Sequence, residues 1–527
     1  MTGTRQAVAV VTETGAAATA AVDRLPAWIA VLPRGADLSQ LLPHGPVLAQ
    51  RAARRAAPEP EPEPEAIFLC TDLPNGLATR AAVAEVEPAL ATFERLGLGR
   101  RLAAAVLETR PTEVGVTVAG LPPEVAQGFQ EAIVAALLAA VHPMPDRRTK
   151  PDPAPRLKRI VVHGVAEGAI SVGARLARTV AEDEGNGLAR SLSRMPPNEL
   201  SPGEYIERVR QLAGREGFAC EFLDEAALAG LGAGAFLAVC RGSEQRDAGV
   251  LKLTYRPPGR AKGRTKAHTK PHPQDGHKAS PTVALVGKGI CFDTGGVNLK
   301  TARYMHGMHE DMQGSAVALG ALLALARLQA PFALECWLAI ARNDIGPNGY
   351  RPNEVVEAAN GETIEVIHTD AEGRMLLADC LALVARGKPD LIIDYATLTG
   401  ACIQALGTNM SGAFTNRPAL IPALWEAGWR SGERIWPFPM ERDYDEALKS
   451  EIADTKQCTL DDAADHILAA RFLSRFVGAE RPWVHLDLAA SSHKGGLAHI
   501  PTDTTGFGVR YTCELLLGGG LLDRLGG

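Results

Sequence analysis

Apolar and polar positions along the chain alternate between short apolar runs and longer amphipathic stretches. Over the first third, strand-like runs at 66–69, 113–118 and 159–162 alternate with helical patterns at 90–107 and 123–140, the first of these weakened by Gly97 and Gly99. Leu176, Val180, Leu188 and Leu192 recur at helical spacing between 173 and 194. Pro196 and Pro197 end that helix, because proline has no amide hydrogen and clashes with the turn before it. Beyond it, short apolar runs at 235–239, 283–286, 333–340, 391–393 and 484–486 alternate with helices, the pattern of a mostly parallel or mixed sheet covered on both faces. The expectation is an α/β chain of two domains: a smaller N-terminal α/β domain over 1–172, a linker helix over 173–194, and a larger C-terminal α/β domain over 195–527.

Length agrees with that division, since 527 residues exceed the roughly 250–300 at which a single core stops growing. With 46% hydrophobic residues the chain is no disordered polymer, and a formal charge of −6 gives it no broad cationic field for nucleic acid or anionic lipid. Two segments depart from the rest. The repeat "PEPEPEPE" at 58–65 reads as a stiff, solvated loop. The insertion at 257–280 carries Arg260, Lys262, Arg264, Lys266, Lys270 and Lys278 against the single acid Asp275. Almost without apolar residues, it reads as a surface loop, or as a contact for nucleic acid or another polyanion, or as an adventitious metal binder through His268, His272 and His277. Nine cysteines are scattered singly with no CxxC pair, which suits buried thiols in a reducing cytoplasm better than a disulfide framework. The run 7–11 is broken by Glu13, too soon for a secretory leader, and the apolar run 316–326 falls short of the ~20 residues a bilayer crossing needs. No membrane partner is expected.

Charged residues directly after apolar strands carry the chemistry, because open α/β sheets bind ligands outside the carboxyl ends of their strands. The strand "TVALVG" runs into Lys288, Asp293 and, past "TGGVNL", Lys300. Asp311 stands in "HEDMQGS" at the start of an apolar helix, and Asp370, Glu372 and Arg374 follow the strand at 364–367 at alternate positions. In an extended segment those three side chains project to one side. If Asp293 and Asp311 converge there, four carboxylates share one volume, and like charges so close need compensation. Divalent cations supply it. Oxygen ligands without cysteine favour zinc, manganese or magnesium, and four carboxylates exceed the needs of one tetrahedral ion, which points to a pair. Taken singly, each residue also has a plain structural reading: solvated lysines, a turn-forming Asp293, a helix-capping Asp311, an Asp370–Arg374 surface pair.

The segments "VGKGICFDTGGVNLK", "HEDMQGS", "HTDAEGRMLLAD" and "DYATLTGA" closely resemble the signature segments of the leucyl aminopeptidase (cytosol aminopeptidase) family, bacterial type, and the similarity runs from "SRMPPNELSP" to "TTGFGVR". The resemblance implies a catalytic C-terminal domain. One metal would be held by Lys288, Asp293, Asp311 and Glu372, the other by Asp293, Asp370 and Glu372, both zinc or manganese. It implies hydrolysis of the bond after a free N-terminal residue, leucine or another apolar residue, by a hydroxide bridging the two metals. Lys300 would stabilise the developing oxyanion. Arg374 would hold a bicarbonate ion as general base, while Thr397, Leu398 and Gly400 would line the substrate cleft. The family's members assemble as homohexamers. His368 and the pair Gln313 and Ser315 depart from the family's commoner Asn and "MGGA", without removing an implied ligand.

Three readings compete. "MHGMHED" with His306, His309 and Glu310 lacks the HExxH order of a histidine zinc site. A two-metal phosphoesterase would need a basic or glycine-rich phosphate cradle, for which only Arg374 and Lys300 offer themselves. A DNA-binding or architectural role would rest on the basic insertion and fall steeply with salt.

Overall fold

The computed structural model describes residues 7–15, 18–54, 67–165, 170–258, 280–461 and 463–525. The chain divides into two compact units. One comprises Met1–Gly187, Gly428–Arg434 and Ser492–Thr505, the other Leu188–Ala427, Ile435–Ser491 and Gly506–Gly527. The proline repeat at 58–65 and residues 259–279 of the basic insertion lie outside the described residues.

The first unit holds strands β1 (Ala9–Thr14), β2 (Ala27–Pro33), β3 (Ile67–Asp72), β4 (Arg80–Val86), β5 (Glu113–Val118) and β6 (Arg159–Val165) in the order β1-β6-β5-β2-β4-β3. β3 runs antiparallel to β4, and the other neighbours are parallel. Helices Thr92–Leu107 and Pro123–Val141 share an apolar cluster with β2 and β5. Pro123–Val141, at 19 residues and mean hydropathy 1.3, is long and apolar enough to cross a bilayer, so the run at 316–326 is not the most membrane-like stretch. It is a core helix here, with Phe129, Ile133, Val134 and Leu137 packed into the cluster.

The second unit carries an eight-stranded sheet built from β7 (Ala219–Asp224), β8 (Gly249–Tyr255), β9 (Thr282–Asp293) and β10 (Ala333–Asn343). A separate three-stranded sheet is formed by β11 (Val355–Glu357), β12 (Thr363–Glu365) and, later in the chain, β16 (Thr455–Lys456). β13 (Leu391–Ala396), β14 (Ser411–Thr415), β15 (Ile435–Pro437) and β17 (Trp483–Asp487) complete the larger sheet, in the order β15-β14-β17-β13-β9-β10-β8-β7. β17, β13, β9 and β10 are mutually parallel, flanked by antiparallel pairings on both sides, so the sheet is mixed as expected. β9 is buried almost throughout, as a central parallel strand covered on both faces must be.

Successive β9 residues face opposite helices. A Cβ added at Gly287 would come 2.3 Å from the Ser315 Cα in helix Gln313–Arg327, whereas Lys288 lies against Gly373 in helix Glu372–Arg386. The approach of the first helix is closer still at Gly314, where a Cβ would stand 2.1 Å from the Tyr395 carbonyl oxygen of β13. Backbone cannot yield as a flexible side chain does. Gly314→Ala is therefore expected to destabilise the protein by about 1–3 kcal/mol, seen as a lower urea midpoint at unchanged m-value.

The run 235–239 is not a strand. It forms helix Gly234–Cys240, whose first turn is held by Asp379: its Oδ2 accepts from the Phe236 amide at 2.7 Å. An apolar run this short, with only Leu237 partly exposed, has no periodicity to separate strand from helix, and a carboxylate 143 positions away decides it here. The nine cysteines are thiols, seven of them buried.

Candidate metal centre

Lys288 and Asp293 arrive on β9, buried to 3% and 2% exposure. Asp293 closes the strand where a register shift in β10 sets Asn343 opposite it. Asn343 Nδ2 donates to Asp293 Oδ1 at 2.8 Å and to the Thr369 carbonyl at 2.9 Å, and the Gly295 amide donates to the same Asp293 oxygen at 2.8 Å. One carboxylate orientation is thereby fixed.

Asp370, Glu372 and Arg374 do not share an extended strand. β12 ends at Glu365, Asp370 sits in a turn, and Glu372 opens helix Glu372–Arg386 with Arg374 in its first turn. Spacing by two does not align side chains on a helix, so the alternation argument fails although the residues do converge. What converges them is Thr369. Its hydroxyl donates to the Gly295 carbonyl at 2.6 Å, its amide donates to Asn298 Oδ1 at 2.9 Å, and its carbonyl accepts from the Tyr350 hydroxyl at 2.7 Å. The turn carrying Asp370 is thus pinned to the loop following Asp293.

Two ammonium groups and four carboxylates interleave. Lys288 Nζ stands 2.8 Å from Asp311 Oδ1, 2.9 Å from Glu372 Oε1 and 2.9 Å from the Thr397 carbonyl. Lys300 Nζ stands 2.9 Å from Asp293 Oδ2 and 2.5 Å from Asp370 Oδ1. Asp293, Asp370 and Glu372 each offer an oxygen within 4.8 Å of the others'. Asp311 is bound to the group through Lys288, and through Thr397, whose hydroxyl donates to Asp311 Oδ1 at 2.7 Å. Gly373 leaves room for Lys288: a Cβ there would come 2.6 Å from its Cε.

Burial and crowding act on every charge. Burial pushes Asp311 up to about 8, with Lys288 opposing and Glu372 and Asp293 reinforcing the rise. Asp370 is pushed up to about 7 by burial, then by Asp293 and Glu372, against Lys300. Glu372 is raised by burial and by Asp293. Burial works against both lysine charges, but the carboxylates outweigh it and hold both above the usual lysine range. The carboxylates are over-concentrated for two ammonium groups. Asp311 Oδ2 is buried without a hydrogen-bond partner among the described residues, an acceptor whose desolvation nothing offsets. A donor set of this kind, hard oxygens with an orphaned one, fits divalent cations.

Of the cleft residues, Thr397 and Leu398 are half-buried and Gly400 is exposed at the start of helix Gly400–Leu406. Their loop is held by Asp487, at the end of β17. Its Oδ1 accepts from the Leu398 amide at 3.2 Å and its Oδ2 from the Thr399 hydroxyl at 2.6 Å. Arg374 does not face the clustered carboxylates as a free cation. Its Nη2 donates to both oxygens of Asp465 at 2.8 Å, and its Nη1 to the Gln457 carbonyl at 3.2 Å. Asn343, Thr369, Asp487 and Asp465 went unnoticed in the sequence. Asn343 and Asp487 stand at carboxyl ends of strands, where the rule that found Asp293 would also have found them. Asp465 opens a helix and gives no such signal.

The model of the cytosol aminopeptidase family's catalytic domain matches residues 187–513. The chain belongs to the cytosol aminopeptidase family. It is 41% identical over 358 residues to a probable cytosol aminopeptidase of Syntrophotalea carbinolica, covering 68% of this chain and 67% of that one. It is 40% identical over 333 residues to another from Chlorobaculum tepidum, covering 63% and 62%. Among solved structures, a tomato leucine aminopeptidase carrying K354E superposes with a TM-score of 0.79 at 26% identity, over 97% of this chain and 96% of that one. The bottromycin maturation enzyme BotP in complex with Mn superposes at 0.75 with 29% identity, over 93% and 99%. As a cytosol aminopeptidase family member, the chain carries in 187–513 the catalytic domain of a metal-dependent exopeptidase. The phosphoesterase and DNA-binding readings draw no support from these relatives.

Proposed function

We propose that this protein removes the N-terminal residue, leucine or another apolar one, from peptides with a free amino group, using two divalent cations, zinc or manganese. The observation that carries the proposal is the interleaved group around Lys288, Asp293, Asp311, Asp370 and Glu372, with its unpartnered Asp311 oxygen. Lys288, Asp293, Asp311 and Glu372 would hold one ion, and Asp293, Asp370 and Glu372 the other. Bound there, such ions polarise the scissile carbonyl and make water acidic enough to act as a nucleophile at neutral pH.

The chain's own groups account for the rest. A lysine ligates only as the neutral amine, so Lys288 would have to be deprotonated to hold an ion together with Asp311 and Glu372, and metal uptake would then release a proton. Lys300 then turns its ammonium from Asp293 and Asp370 to the oxygen on which negative charge develops. Asp311 accepts from the substrate's α-ammonium, and the backbone from Thr397 to Gly400, braced by Asp487, aligns the peptide. The bicarbonate expected on Arg374 as general base would meet a guanidinium whose Nη2 is paired with Asp465 and whose buried Nε has no partner among the described residues.

The domain scheme belongs to the same proposal: an N-terminal domain over 1–172, a linker helix over 173–194 and the catalytic domain over 195–527, assembled as a cytoplasmic homohexamer. The test is selectivity for the free amine. Leucyl amide should be hydrolysed by the metal-loaded protein and N-acetyl-leucyl amide should not. Equal rates on the two would contradict the reading.

A further inference from the structure

A cavity of about 710 Å³ opens within the second unit. β14 runs antiparallel to β17, with Gly412 beside Asp487 and Thr415 beside Val484. Asp487 braces the cleft loop from the carboxyl end of β17, whereas Thr415 and the two residues after it line the cavity at the opposite edge of the sheet. The cavity and the metal centre are therefore separate places. Guanidinium groups of Arg417, Arg442, Arg471 and Arg475 line it, against the carboxylates of Glu441 and Asp445. This is a cationic hollow in a chain whose formal charge is −6. Arg471 and Arg475 share one face of helix Asp465–Val477, being one turn apart. Arg471 is neutralised: its Nε and Nη2 donate to the two oxygens of Asp445 at 2.7 Å and 2.6 Å, and its Nη1 to the Met440 carbonyl at 3.2 Å. Arg475 donates from Nε to Glu362 Oε2 at 2.7 Å, a carboxylate outside the lining. Arg417 and Arg442 have no carboxylate partner among the described residues. Carbonyls alone fix Arg417, its Nη1 donating to Asn416 at 3.2 Å and its Nη2 to Ala479 at 2.9 Å, so its charge stays uncompensated. Phe438, stacked on Phe414 with ring centroids 5.5 Å apart, gives the cavity an apolar wall together with Ile421 and Met440.

We propose that this cavity is a second binding site, which takes an organic anion: a carboxylate or phosphate group on Arg417 and Arg442, joined to an apolar body that lies on Phe438, Ile421 and Met440. The inference goes beyond the aminopeptidase reading and does not rest on it. A guanidinium presents several N–H donors in a rigid plane and matches either head group. The volume falls within the roughly 300–1,000 Å³ of small-molecule sites, which combine an apolar lining with a few placed polar groups. Arg471 serves the site indirectly, because its fork to Asp445 cancels the acid that would otherwise repel an anion, while its bond to Met440 fixes the wall. The excess of positive charge disfavours a cationic ligand, so the ammonium end of a peptide, which the metal centre is proposed to take, is not what this cavity recognises.

The experiment is titration calorimetry with hexanoate and with hexyl phosphate as probes. It is run on the metal-loaded protein and again after chelation, because bound cations also attract either head group. At least one probe should bind both forms of the protein, and the tighter of the two identifies the head group. Hexan-1-ol, acetate and inorganic phosphate each carry only one half of a probe and should bind at least roughly tenfold more weakly. Arg442→Glu should weaken the tighter probe by roughly tenfold or more, the worth of one charge-assisted contact, and added salt should weaken it on wild type. Failure of both probes to bind, loss of binding on chelation, a lone half that binds as tightly as the whole, or wild-type affinity in Arg442→Glu would overturn the proposal. Melting curves establish that the variant folds, and if it does not, Arg442→Gln decides by the same measure. None of these readouts uses turnover, so an inactive protein would sink the aminopeptidase reading and leave this test intact.

Discussion

Glu372→Ala is expected to bring hydrolysis of leucyl amide down to background while leaving the fold in place. Glu372 joins both halves of the centre: its Oε1 lies 2.9 Å from Lys288, and it shares a 4.8 Å neighbourhood with Asp293 and Asp370. Losing it removes a proposed ligand from both cations. Lewis-acid stabilisation is worth several kcal/mol, and every ~1.4 kcal/mol is tenfold in rate, so the loss should reach about a thousandfold or more. Stability should not follow activity. Burial and Asp293 both push the Glu372 pKa up, so the native site disfavours its charge, and removing it relieves crowding as much as it unpairs Lys288. Glu372→Gln, which keeps the volume, should be nearly as inactive. Steady-state rates and thermal melting on the three proteins check this. A variant that keeps more than a tenth of wild-type turnover would remove Glu372 from the metal centre.

Lys300→Ala carries the second large effect. The proposed role of its ammonium is to meet negative charge that exists only during reaction, so its loss should appear in kcat more than in KM. A drop of roughly 100- to 1,000-fold is the usual cost of deleting one such donor. The variant should bind metal at least as well as wild type, because Lys300 competes for the oxygens of Asp293 and Asp370 at 2.9 Å and 2.5 Å. Rates over a range of substrate concentrations, with metal titration by calorimetry, separate the two effects. Weakened metal binding at unchanged kcat would show that Lys300 organises ligands and has no part in the reaction.

Elements with strong periodicity were legible in the sequence. β5 at Glu113–Val118 and the helix Pro123–Val141 lie where alternation and helical spacing place them. β9 was legible only over 283–286, because Gly287, Lys288 and Gly289 interrupt the apolar run. In the folded chain they are the reason the strand works, Gly287 admitting one helix and Lys288 reaching the other. Residues 235–239 were misread because a five-residue apolar run, buried at all but Leu237, is too short to show a helical period. At the centre, Lys288, Asp293, Asp311, Asp370 and Glu372 were legible because each charge interrupts an apolar context or follows a strand. The convergence of Asp370 with Glu372 was expected for the wrong reason: hydrogen bonds of Thr369 produce it, and a single threonine carries no signal. Asp465 was invisible, since its meaning lies in Arg374, 91 positions away.

The most direct measurement of the central claim is the metal content of freshly purified, active protein, followed by turnover after a chelator and after zinc or manganese is restored. The account predicts up to two divalent ions per chain, loss of leucyl amide hydrolysis on chelation and its return with metal. Full turnover by protein that holds no divalent ion, unchanged when metal is added, would contradict it.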